Sequence, residues 1–229
     1  MRCSAQFGGT GRLAELTTRG KFITLEGGEG AGKSTQARLL AAWLGEKGIS
    51  ATLTREPGGT PGAEEIRGLL VTGAVGRWDS LTETLLHCAA RREHMARLIQ
   101  PALDRGQWII CDRFIDSTTA YQGYGQGIDL GTIARLRETV LGGFAPDLTL
   151  ILDVSPETRR ARTAARIAAN PGNEDRYERM NEAFHDRVRA GFHAIAQAEP
   201  GRCAVIAADQ GIEAVSADIK TVVAKRFSI

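Results

Sequence analysis

Lys33 and Ser34 follow Gly27-Gly28-Glu29-Gly30-Ala31-Gly32, giving the pattern GxxxxGK[ST] with Thr35 next. Each residue type has a chemical reason at its place. The glycines let the backbone turn tightly, so that successive N–H groups point at one phosphate. A helix opening near Lys33 adds unpaired donors and the positive end of its dipole. The Lys33 ammonium suits the β- and γ-phosphates of a nucleoside triphosphate, and the Ser34 hydroxyl suits Mg²⁺. A strand-like run before the loop and a helical pattern after it separate this from a chance glycine-rich turn. The cradle specifies a triphosphate but not an acceptor, since motor ATPases and GTPase switches share it.

Two further groups carry charge chemistry. Asp112-Arg113 directly follows the apolar run Trp108 to Cys111. In an open α/β sheet, ligands sit beyond the carboxyl ends of strands. There an aspartate can hold a Mg²⁺ shell or accept a proton, and an arginine can clamp a phosphate bidentately. The bland alternative is an ion pair within a loop. Arg159, Arg160, Arg162 and Arg166 form the second group, leading into Asn170-Pro171-Gly172-Asn173. Arg162 and Arg166 share one helical face and can converge on one anion, though such a run also suits a solvated basic face. The Pro-Gly tip suits a segment that covers phosphates.

The elements that must hold these residues alternate. Phe22–Glu26, 51–54, Trp108–Cys111, Leu148–Leu152 and Ala204–Ile206 read as strands, and most are continuous apolar runs that suit burial on both faces. Helical patterns fall at Lys33–Lys47, Ala63–Val71, Leu81–Leu103 and from Ile212 onward. Tyr177, Met180, Phe184, Val188, Phe192 and Ile195 predict one buried face of a long helix, a core face rather than a ligand site. Strand–helix alternation implies right-handed βαβ units. The expected fold is a doubly wound parallel α/β sheet of about five strands, helices on both faces, with a short lid over about 159–178.

Composition is ordinary for a globular chain of 229 residues, 42% hydrophobic and 24% charged. A net charge of +2 provides no global field toward nucleic acid or membrane, so any bound anion must be held by a local cluster. No apolar run approaches the ~18 residues a membrane span needs. Cys3, Cys88, Cys111 and Cys203 form no CxxC pair and read as reduced thiols in a cytoplasmic protein, Cys111 being a packing residue. Residues 1–20, with Arg2, Arg12, Arg19 and the lone acid Glu15, read as a disordered or trimmed extension rather than a transit peptide. One domain is expected over 21–229.

In order along the chain, these stretches resemble the bacterial thymidylate kinase family. The match runs through Gly27–Thr35, Thr54-Arg55-Glu56-Pro57-Gly58-Gly59-Thr60, Ala89-Ala90-Arg91, Asp112-Arg113-Phe114 and Ser117–Gly123. It continues through Pro146-Asp147-Leu148-Thr149, Leu152-Asp153-Val154 and Asp175-Arg176-Tyr177-Glu178. The resemblance implies transfer from ATP to dTMP, with Mg²⁺, in a homodimer. Gly27, Gly28, Glu29, Gly30, Ala31, Gly32, Lys33, Ser34 and Thr35 would hold the ATP phosphates. Ser34, Asp112 and Glu29 would organise the metal, and Glu29 would also accept from the dTMP 3′-hydroxyl. Arg55 and Arg113 would surround the acceptor phosphate. Arg91, Thr118 and Gln122 would read the thymine edge, while Tyr121 would crowd the position of a ribose 2′-hydroxyl. The family often has Phe to stack on thymine four residues before the arginine of Ala-Ala-Arg. Here His87 stands there, with less area and a polar cost.

The loop between Gly27 and Gly32 contains no arginine, so cationic charge for the transition state must come from elsewhere. Arg162 and Arg166 are the expected source, Arg162 first, with Arg159, Arg160 and Arg176 lesser contributors. Two other readings share the phosphate loop: a kinase for another nucleoside monophosphate, and a P-loop regulatory ATPase. The second leaves Arg55, Arg113 and the later arginines without a joint purpose.

Overall fold

A computed structural model describes residues 19–169 and 176–229. The expected extension and the Asn170–Asn173 tip lie largely outside the described residues. Strands β1 (Phe22–Glu26), β2 (Ala51–Arg55), β3 (Trp108–Asp112), β4 (Leu148–Asp153) and β5 (Cys203–Ala207) form one parallel sheet in the order β2-β3-β1-β4-β5. The helices are α1 (Lys33–Glu46), α2 (Pro61–Val71), α3 (Ser80–His94), α4 (Gln100–Asp104) and α5 (Ile115–Thr118). They continue with α6 (Leu130–Leu141), α7 (Pro156–Ala169), α8 (Glu182–Ala198) and α9 (Ile212–Phe227).

Strand alternation assigns the two faces. Ile23 and Leu25, Ile110, and Leu148, Leu150 and Leu152 join Leu40 and Leu44 of α1 and Val215, Ile219 and Val223 of α9 in one buried cluster. Phe22, Ile109 and Cys111 face the other way, onto Met95, Ile99 and Leu103. On that second face Ile151 meets Phe184, Val188, Phe192 and Ile195 of α8. Burial on both faces explains the continuous apolar strands.

Two expected helices differ from the sequence pattern. Leu81–Leu103 is interrupted by a widened π turn at Met95–Ile99 before α4. Pro101 has no N–H for the carbonyl a turn earlier, and the wider turn accommodates the loss. The pattern Tyr177–Ile195 begins as a helix only at Glu182, because the Asn181 side chain accepts from Phe184 N at 2.9 Å and caps α8 there. Tyr177 and Met180 lie in the preceding turn, still packed against the α8 core but outside the helix, so the Tyr177 hydroxyl is not bound to a helix face.

Candidate active site

The carboxyl ends of β1 and β3, adjacent in the sheet, bring the two charged motifs together. After β1, Gly27, Gly30 and Gly32 take φ values of 129°, 69° and 89°, a left-handed path that leads into α1. Lys33 is buried, its Nζ donating to the carbonyls of Gly28 at 2.7 Å and Gly27 at 3.2 Å. Burial and the Arg113 charge push its ammonium down to about 8, with Glu29 and Asp112 opposing. Ser34 Oγ donates to Asp112 Oδ2 at the end of β3.

Arg113 turns the chain with φ 72°. Its guanidinium donates to Glu29 Oε1 at 2.8 Å, Tyr121 Oη at 3.0 Å, the Gly27 carbonyl at 3.0 Å and Ser117 Oγ at 3.1 Å. Burial works against charge at Glu29, but Arg113 and Lys33 outweigh it and hold the carboxyl at about 2. The turn itself is fixed from beneath. Glu26 accepts from Phe114 N at 2.7 Å and from Ser117 Oγ at 2.5 Å. Burial, then nearby Asp116, pushes Glu26 up to about 8.

A cavity of about 170 Å³ opens beside Arg113, walled by Phe114, Thr118, Tyr121, Gln122, His87 and Arg91 among others. Arg91 is 2% exposed, and its guanidinium is oriented by Glu56 Oε2 at 2.7 Å, Thr118 Oγ1 at 2.9 Å and the Phe114 carbonyl at 3.0 Å. A second π turn, Thr119–Gly125, puts the consecutive residues Tyr121 and Gln122 on the same cavity. A larger cavity of about 720 Å³ holds the phosphate loop, Asp112, Arg55, Arg162 and the turn from Ala208 to Ile212. The two cavities share Glu29, Glu56, Arg67, Arg113 and Arg166. Such a junction is where a group could pass from one bound molecule to another.

The basic helix α7 divides its arginines. Arg159 and Arg160 both pair with Glu182, at 2.6 and 3.3 Å, away from the junction. Arg162 donates to the Gln210 carbonyl at 3.3 Å on the wall of the larger cavity, and Arg166 borders both cavities while pairing with Glu178. Arg176, expected among the lesser lid cations, is instead buried against Glu83 and donates to the Leu70 carbonyl at 2.9 Å. Arg55 pairs with Glu64 at 3.1 Å and borders only the larger cavity.

Sequence reasoning missed Arg67, which reaches both cavities from α2 with no motif to announce it. It missed the turn from Ala208 to Ile212, which no motif announces. Tyr177 was visible inside the Asp-Arg-Tyr-Glu stretch but was absorbed by the apolar periodicity.

This sheet order, with a phosphate loop after β1 and a second charged turn after β3, defines a P-loop kinase of the nucleoside-monophosphate type. The chain belongs to the thymidylate kinase family: a family model described as thymidylate kinase matches residues 25–219. It is 53% identical over 212 residues to the thymidylate kinase of Caulobacter vibrioides, covering 93% of this chain and 100% of that protein. Against the thymidylate kinase of Gluconobacter oxydans it is 51% identical, covering 93% and 99%. The crystal structure of thymidylate kinase from Ehrlichia chaffeensis superposes with a TM-score of 0.72 at 39% identity, covering 90% of this chain and 99% of that one.

Proposed function

We infer that the chain transfers the γ-phosphoryl group of ATP to dTMP, giving dTDP and ADP. The observation that carries this reading is the shared junction, where Arg113, Arg166 and Glu29 border both a phosphate-loop cavity and a small walled pocket. Gly27–Thr35 hold the donor phosphates, with Lys33 neutralising charge between them. Arg113 and Arg67 meet the acceptor phosphate, and Arg55 serves the donor side of the junction. Arg91, Thr118 and Gln122 read the thymine edge, and the buried Tyr121 ring closes off the space of a ribose 2′-hydroxyl. Little covalent work falls to the protein, so positioning and charge supply most of the rate.

Mg²⁺ fits the residues present. Ser34 Oγ and Asp112 Oδ2 touch each other at the floor of the larger cavity, and both are hard oxygen donors. Among the described residues no three His, Cys, Asp or Glu side chains converge on one metal position. That suits an ion held by one or two protein groups together with substrate phosphates. Ser34 and Asp112 would hold it, with Glu29 close by, and when bound it supplies charge neutralisation on the phosphate oxygens. No helix among the described residues is long and apolar enough to cross a membrane. The reading includes a homodimer acting in the cytoplasm on these small molecules, without nucleic acid.

The test is ADP release measured with dTMP, dUMP, UMP, CMP, GMP and AMP in turn. dTMP should be preferred, and dUMP should lose about 10- to 200-fold in kcat/KM, the usual worth of one methyl in an apolar pocket. Faster turnover with GMP or AMP would refute the substrate assignment.

A further inference from the structure

Glu83 of α3 is fully buried and surrounded by donors: Gln122 Nε2 at 3.0 Å, Gln126 Nε2 at 2.6 Å, the Tyr177 hydroxyl at 2.8 Å and the Arg176 guanidinium. A carboxylate paired with arginine only accepts, so the single Tyr177 proton is committed to Glu83. The Tyr177 oxygen also lies 2.8 Å from His87 Nε2. With its proton spent, that oxygen accepts from His87, and the imidazole must carry its hydrogen on Nε2. Burial, then the charges of Arg91 and Arg176, push His87 down to about 3, so the ring is neutral. The Tyr177 ring also stands edge-on to Tyr121, with centroids 5.5 Å apart.

We propose that Tyr177 is a positioning residue for the base-binding pocket: its hydroxyl, anchored on Glu83, fixes His87 in one tautomer and one ring orientation on the pocket wall. The inference rests on the reading of the 170 Å³ cavity as the dTMP site. His87 offers thymine less stacking area than a phenyl ring would. A ring held in place before substrate arrives loses no rotamer freedom on binding, which offsets part of that deficit.

The test uses the full chain labelled with ¹⁵N-histidine. Long-range ¹H–¹⁵N spectra report which ring nitrogen of each of the four histidines carries hydrogen, and His87→Phe assigns the signal. Wild type should show His87 protonated on Nε2 and bare on Nδ1 at pH 7. Tyr177→Phe should move that signal toward a mixture of tautomers. In kinetics Tyr177→Phe should raise the KM for dTMP about 3- to 10-fold, the worth of one buried hydrogen bond, with kcat and the KM for ATP within about twofold. A wild-type Nδ1–H tautomer overturns the proposal, and so does a folded Tyr177→Phe with unchanged KM. Wild type that shows the expected tautomer but does not phosphorylate dTMP would refute the substrate reading instead, which keeps the two failures apart.

Discussion

Lys33 shows how one residue's surroundings set its chemistry. Its ammonium is buried beside Arg113 and satisfied by two loop carbonyls, an arrangement that depresses it to about 8. The charged form is therefore lost as pH rises through about 8, whereas an ordinary lysine keeps its charge to about 10.4. Affinity for ATP should weaken between pH 7 and pH 9, because binding must then recover a proton. Titration calorimetry across that range checks this, and a flat profile would contradict it. Lys33→Ala should stay folded and lose nearly all transfer activity, since the charge between bridging phosphates is gone. The reach of Lys33 was legible from sequence because a motif fixes both residue type and backbone path. Arg67 and Tyr177 were not, because their roles depend on which elements pack beside them, and neither spacing nor composition encodes that.

At the scale of elements, α7 decides which of its arginines border the two cavities. It rests directly on the phosphate loop: a Cβ on Gly30 would lie 3.1 Å from both the Arg159 carbonyl and Thr163 Oγ1. That contact sets which faces of α7 look inward. Arg159 and Arg160 fall on the side taken up by Glu182, while Arg162 and Arg166 border the larger cavity. The i, i+4 spacing predicted that those two would share a face, and they do. Only the packing reveals that Arg166 alone of the four also borders the smaller pocket, which moves the emphasis from Arg162 to Arg166. The Arg162→Ala, Arg166→Ala double variant should lose on the order of 10³-fold in kcat, with ATP affinity much less affected. Of the single variants, Arg166→Ala should be the more damaging, and Arg166→Lys should rescue poorly because lysine lacks the bidentate fork. Steady-state kinetics decide it, with calorimetry on an ATP analogue. Near-normal kcat in the double variant would place the needed charge at Arg113 or the metal.

The whole molecule follows from a chain that starts at the centre of its sheet, runs out to one edge and returns. β1 and β3 become neighbours, so the two turns that follow them meet, the glycine-rich loop on one side and the Arg113 turn on the other. This much was legible, since alternating strands and helices with glycine and charge at strand ends admit few topologies. The breaks at Met95–Ile99 and Asn181 were not, because a π turn keeps helical residue types and a cap is a single side chain. The proposed transfer requires both cavities to be filled in one reaction, with a phosphoryl group crossing the junction between them. It is tested most directly by supplying ATP labelled at the γ-phosphate together with dTMP and Mg²⁺ and following the label. The prediction is that label appears in dTDP, at a rate that collapses when dTMP is withheld. Label appearing as inorganic phosphate at the same rate with and without dTMP would contradict it.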